Sequence, residues 1–149
     1  MSTSITSAAE AYLSLLKRRG IDYLYVGSGT DTAPLVEAYA KARKEGNQER
    51  YPCPVLATHE NLAVGMAHGY TMVSGRPQAV MVHVSVGTAN ASCALMNAAR
   101  AQLPMLFTAG RTPIFEEEGS GRVTVKFIGR RRCSTRPAWC ASSLNGSTS

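Results

Sequence analysis

The 149-residue sequence contains no apolar run approaching the eighteen or so residues that suggest a membrane helix, so no membrane span is expected. Its first residues, M-S-T-S-I-T-S-A-A-E, lack the basic stretch followed by an apolar one that marks a secretory leader, which leaves the cytoplasm as the default expectation. The four cysteines, Cys53, Cys93, Cys133 and Cys140, include no C-x-x-C pair, and no H-x-x-x-H stands near them, so no metal site is expected. Cys53 and Cys93 read as reduced core thiols. No G-x-G-x-x-G follows the first apolar run, which argues against a generic dinucleotide fold. The net charge of +6 is not spread along the chain, because Arg122, Lys126, Arg130, Arg131, Arg132 and Arg136 account for it. Residues 1–121 hold ten bases against ten acids, so nucleic-acid binding is not expected.

What is there is a composition of 44% hydrophobic and 17% charged residues, suited to one globular domain. Residues 4–19 carry Ala8, Ala9, Tyr12, Leu13, Leu15 and Leu16 at helical spacing, closed by Gly20. A short strand over 23–26 runs into the loop G-S-G-T-D-T-A-P, and Pro34 suits the first turn of a helix reaching about residue 45. Leu35, Val36, Tyr39 and Ala40 are expected on its inner face. After a polar loop over 46–51, a strand at 54–57 leads to a helix over 60–73, then the turn S-G-R-P. A strand over 79–84, a helix from Thr88 to about residue 100 and a strand over 105–109 follow. Strands alternating with helices imply βαβ units, a three-layer α/β/α fold and a mostly parallel sheet. Ligands of such sheets sit beyond the carboxyl ends of the strands. The loops at 27–32, 58–60 and 84–88 lie there, so Glu60 stands at the functional edge. From Gly119 onward no helix or strand period persists, and residues 119–149 read as unstructured.

Two residues invite competing readings. Glu60 suits a helix N-terminus, where the macrodipole favours a carboxylate. Ala63, Gly65, Ala67 and Gly69 on the same helix are small enough for close packing against neighbours. His83 ends a buried strand, where a histidine is commonly a hydrogen-bonded core residue. An unperturbed imidazole, titrating near about 6.5, also suits proton transfer. Gly87, Thr88 and Asn90 fit a helix start that keeps backbone close to a ligand, with Asn90 organising the turn. His59 and His68 read as structural or surface residues.

The run T-H-E-N-L-A-V-G-M-A-H-G-Y-T-M-V-S-G-R-P resembles H-E-x-x-A-x-x-x-A-x-G-Y-A-x-x-x-G-R-P, the signature of the pyrimidine-binding domain of thiamine diphosphate enzymes. V-H-V-S-V-G-T-A-N-A is similar to the G-x-x-N strand-turn-helix of the same family, and P-M-L-F-T-A-G to its P-x-L-x-x-x-G strand. Y-V-G-S-G-T stands where the family has F-G-x-P-G, with Val26 and Ser28 departing from it. The resemblance covers roughly residues 5–118 and points to the acetolactate synthase and benzoylformate decarboxylase branch. It implies that Glu60 hydrogen-bonds N1′ of the cofactor's aminopyrimidine, favouring the tautomer that removes the thiazolium C2 proton. A raised pKa in a desolvated cleft is expected to let that carboxyl share the proton. The benzoylformate decarboxylase segment H-S-x-x-G-T-x-N-A implies that His83 faces a 2-oxo acid substrate and moves protons, with Thr30 lining the same pocket. Gly29, Thr30, Gly87, Thr88 and Asn90 are the remaining expected cofactor contacts.

The G-D-G and later Asn that hold the diphosphate through Mg2+ in this family do not occur here. Mg2+ is therefore expected only on a missing domain, and residues 1–118 are expected to form a partial pyrimidine domain, inactive alone. Back-translating Lys126 onward one base earlier can give I-H-W-A-Q-E-M-F-D-Q-A-G-M-V-R-E-F-V-E-W-I-Y, which resembles the continuation in this branch. A frameshift between about residues 119 and 126 is the expectation, and the nucleotide sequence decides it. The alternatives are a split enzyme, completed by a chain supplying the diphosphate domain, and a non-catalytic partner or regulator that keeps the fold. The resemblance also implies a homo-oligomer in the full-length form, so an exposed apolar face prone to association is expected.

Overall fold

The computed structural model describes residues 7–111. The expected tail at 119–149 and the first residues of the expected N-terminal helix lie outside them. Eleven elements follow one another: α1 (Ala8–Arg18), β1 (Tyr23–Gly27), a 3-10 turn (Thr30–Thr32), α2 (Ala33–Lys44), a 3-10 turn (Gln48–Arg50), β2 (Cys53–Ala57), α3 (Glu60–Ser74), β3 (Gln78–Val82), α4 (Val84–Asn90), α5 (Ser92–Arg100) and β4 (Met105–Ala109). The four strands form one sheet in the order β2-β1-β3-β4, every pair parallel.

Strand side chains alternate between faces, so each strand serves two cores. On one face Leu24, Ala79 and Met81 meet Tyr12, Leu13 and Leu16 of α1 and Leu35, Ala38 and Ala42 of α2. On the other, Tyr25, Val80 and Val82 meet Ala63, Val64 and Ala67 of α3 and Ala94 of α5. The result is the expected three-layer α/β/α arrangement. β3 is buried along its whole length, as a strand covered on both faces must be.

Several local expectations need correction. On α2 the inward stripe runs through Leu35, Ala38 and Ala42, while Val36 is 62% exposed and Ala40 faces solvent. Tyr39 is half-buried, its hydroxyl donating to the Pro52 carbonyl at 2.8 Å. Cys53 and Cys93 are free thiols but exposed, because Cys53 opens the edge strand β2 and Cys93 lies on the outer side of α5. Gly65 and Gly69 meet no atom within 4 Å of where a Cβ would stand, so close packing of α3 falls to Ala63 and Ala67 alone. β3 stops at Val82, and the following helix begins at Val84 rather than Thr88.

The termini of α3 explain its placement. Extended His59 precedes it and accepts the Asn61 N–H through Nδ1 at 3.1 Å. Gly75 closes it with φ +68, donating to the Thr71 carbonyl at 2.9 Å. Below, the Tyr70 hydroxyl donates to Asp22 at 2.9 Å, and Arg76 bonds the same carboxylate. Buried Gln78 accepts the backbone N–H groups of Asp22 and Tyr23. The G-Y and G-R-P-Q portions of the motif thus fasten α3 and β3 to the amino end of β1. Glu60 is held at the opposite edge.

Candidate active site at the ends of β1 and β3

β2 and β3 lie on opposite sides of β1, so chain direction reverses there and a crevice opens beyond the carboxyl ends of β1 and β3. Gly27 ends β1, Val82 ends β3, and Glu60 begins α3 just past β2. Gly27, Glu60 and Gly87 come together closely. A Cβ on Gly27 would lie 2.9 Å from Glu60 Cγ, and one on Gly87 would lie 3.3 Å from Glu60 Oε1. The half-buried carboxylate therefore rests between two stretches of backbone that carry no side chain.

Asn90, on α4, donates from Nδ2 to Glu60 Oε2 at 3.0 Å. That bond, then one from Glu60's own backbone N–H, holds the carboxyl below the usual carboxylate range. Partial desolvation opposes them, while nearby His59 and His83 act in the same sense as the bonds. The expectation of a raised pKa is thus reversed in this chain, because donors that favour the anion outweigh a shallow burial. Asn90 does more than organise a turn, since its amide is the main stabiliser of the Glu60 anion. The neighbour Asn61 accepts the Ala94 N–H at 2.9 Å, satisfying a donor in the first turn of α5. The triplet H-E-N therefore caps α3, presents a carboxylate and ties α5 to α3.

His83 lies between β3 and α4 with its side chain 31% exposed. Its Nδ1 is 2.8 Å from Asp31 Oδ1. A Cβ on Gly29 would collide with the His83 ring, so the ring lies directly against the first loop. Thr30 begins the 3-10 turn and is exposed. Thr88 is buried and spends its hydroxyl on the Val84 carbonyl at 2.8 Å. Gly87, Thr88 and Asn90 stand inside α4 rather than at its start, because the chain turns into helix directly after His83. The structure thus brings Glu60, Gly87 and Asn90 together, and His83 with Gly29, at one sheet edge. Thr88 faces inward instead.

Asp31 is the residue that sequence reasoning missed. It is fully buried, and its partner is 52 positions away. The one signal available was an acid inside a loop at the carboxyl end of a strand. Among the described residues no group of three or more His, Cys, Asp or Glu side chains could hold a metal ion, and no helix is long and apolar enough to cross a membrane.

A parallel α/β sheet with a carboxylate at its switch point, set between the glycine that ends β1 and a glycine of α4, has the architecture of a cofactor-binding domain. Residues 6–126 match the family model described as thiamine pyrophosphate enzyme, N-terminal TPP binding domain, and the chain belongs to that family. Benzoylformate decarboxylase of Pseudomonas aeruginosa is 33% identical over 101 residues, 68% of this chain and 17% of the relative. The acetolactate synthase large subunit of Haemophilus influenzae is 28% identical over 105 residues, 70% of this chain and 17% of the relative. The solved thiamine diphosphate-dependent 4-hydroxybenzoylformate decarboxylase of Rhodococcus jostii RHA1 superposes with a TM-score of 0.60 at 28% identity, over 72% of this chain and 19% of that one. Benzoylformate decarboxylase of Polynucleobacter necessarius has a TM-score of 0.60 at 20% identity, over 73% of this chain and 19% of that one, a likeness of fold. The chain spans less than a fifth of the length of these relatives.

Proposed function

We propose that this chain supplies the pyrimidine half of a thiamine diphosphate site in an enzyme acting on 2-oxo acids, as a decarboxylase or carboligase. The observation that carries the reading is Glu60 held by Asn90 between Gly27 and Gly87, at the crevice where a parallel sheet takes its ligand. The residues fit the pyrimidine end of the cofactor: a carboxyl able to share a proton with a ring nitrogen, with backbone free of side chains on either side. When bound, the cofactor accepts the electron pair released when a 2-oxo acid loses its carboxylate.

The chain's own part is to bind, orient and exchange protons. Glu60 hydrogen-bonds the ring nitrogen through a proton that the two share. Its carboxyl, low in this chain, rises when the crevice is covered and water is excluded. His83, half-exposed at the same edge, exchanges a proton with the substrate. Gly29 gives the His83 ring room. Thr30 lines the substrate side.

The diphosphate and Mg2+ are assigned to a domain on another polypeptide or in the restored reading frame past about residue 119. The split enzyme and the frameshifted fragment share this chemistry, and the gene's nucleotide sequence separates them. The exposed apolar side chains of α3, among them Leu62, Met66 and Val73, support assembly with a second chain. Calorimetry with thiamine diphosphate and Mg2+, with and without a candidate diphosphate-domain chain, tests the proposal. Partner-dependent 2-oxo acid turnover should fall on the order of 100-fold or more in Glu60→Gln. Unchanged turnover removes Glu60 from the mechanism, and no turnover with any partner favours a non-catalytic role.

A further inference from the structure

Asp31 is a fully buried carboxylate in the 3-10 turn after β1. Its polar contacts among the described residues both belong to the turn that follows β3: His83 Nδ1 at 2.8 Å and the Val84 N–H at 3.5 Å. That turn is strained, since Val84 is β-branched and has φ +30. The carboxylate is also boxed in from just past β4, because a Cβ on Gly110 would collide with it. Gly29 on the other side leaves room for the His83 ring and nothing more.

Burying a carboxylate is costly unless it is paired. A neutral side chain could accept the Val84 N–H and fasten the turn without that cost. A negative charge gains most against a group that can itself become positive, and the imidazole is that group. The charged groups facing the ring are Asp31 from the turn after β1 and Glu60 from α3.

We infer that Asp31 is a positioning residue, which fixes the His83 ring in its Nδ1–H tautomer and leaves the Nε2 lone pair available for proton exchange. With the carboxylate as acceptor, the 2.8 Å contact is made by a proton on Nδ1. Among the described residues Nε2 has no hydrogen-bond partner. Taking one proton at Nε2 gives an imidazolium with both nitrogens protonated and the positive charge balanced by Asp31. Returning that proton restores the starting ring. The inference rests on the proposed role of His83 and adds the group that sets its tautomer and orientation.

Nitrogen-15 NMR of the His83 ring in the isolated chain, without cofactor, tests it. The wild type should show a protonated Nδ1 and a pyridine-type Nε2 in the neutral ring. Asp31→Ala should move both nitrogens to the averaged shifts of a tautomer mixture. A wild-type ring protonated on Nε2 overturns the inference, and this reading needs no variant to fold. An Asp31→Ala chain that folds and keeps a single Nδ1–H ring also overturns it. Failure of the function reading is seen separately: His83→Ala that keeps full turnover with a diphosphate-domain partner removes His83 from the chemistry, whatever its tautomer.

Discussion

Each side chain at the strand ends is governed by what lies within a bond's length of it. Glu60 titrates low because Asn90 and a backbone N–H donate to its anion, with desolvation too slight to reverse them. Asn90→Ala should therefore move the Glu60 carboxyl up toward its ordinary value, read from its carboxyl carbon-13 shift against pH. A folded-state pKa held below the unfolded one stabilises the chain above the unfolded value, and this contribution disappears as pH falls through the folded value. Asn90→Ala should thus cost stability at neutral pH and nothing in strong acid. A Glu60 titration unmoved by the substitution contradicts this account of the site. At Gly29 the prediction concerns space. Gly29→Ala puts a methyl group into the His83 ring, and overpacking of that kind costs about 1–3 kcal/mol or swings the ring away. Chemical denaturation together with the His83 ring shifts distinguishes the two, and no change in either would contradict the packing described.

Elements explain what could be read in advance. β1, β2 and β4 are short apolar runs beside Gly, Pro or polar loops, and α3 has a capping residue at one end and Gly75 at the other. Those signals are local, so they are visible in sequence. H-V-S-V-G alternates like a strand, yet the chain becomes helical at Val84 because tertiary contacts hold that residue at a φ no local preference favours. Ala38 and Ala42, rather than Val36 and Ala40, face the core, since the rotation of α2 is set by packing against α1 and the sheet. Glu60 and His83 were legible through motif resemblance, whereas Asp31 was not, its partner lying far along the chain. At the amino edge, Asp22 joins β1 to Tyr70 and Arg76. Asp22→Ala should lower stability by about 1 kcal/mol, the scale of partly exposed polar contacts. Thermal unfolding measures it, and a site near Glu60 that also shifts would show that the two edges are coupled.

At the scale of the whole molecule, the division of labour between the two sheet edges is the main result. The amino edge is fastened by Asp22, Tyr70, Arg76 and Gln78, and the carboxyl edge presents Glu60, Asn90 and His83. The proposed cofactor role accounts for a carboxylate at the switch point, and the proposed second domain accounts for its slight desolvation. The proposed half-site should bind weakly, so its occupancy is best seen atom by atom. Titrating the isotopically labelled chain with thiamine diphosphate up to millimolar concentration, while following its NMR spectrum, is the most direct test. The account predicts shifts concentrated at Gly27, Glu60, Gly87 and Asn90, absent at Asp22, Tyr70 and Arg76, and lost in Glu60→Gln. A spectrum unmoved at Glu60, or moved equally at both edges, would contradict it.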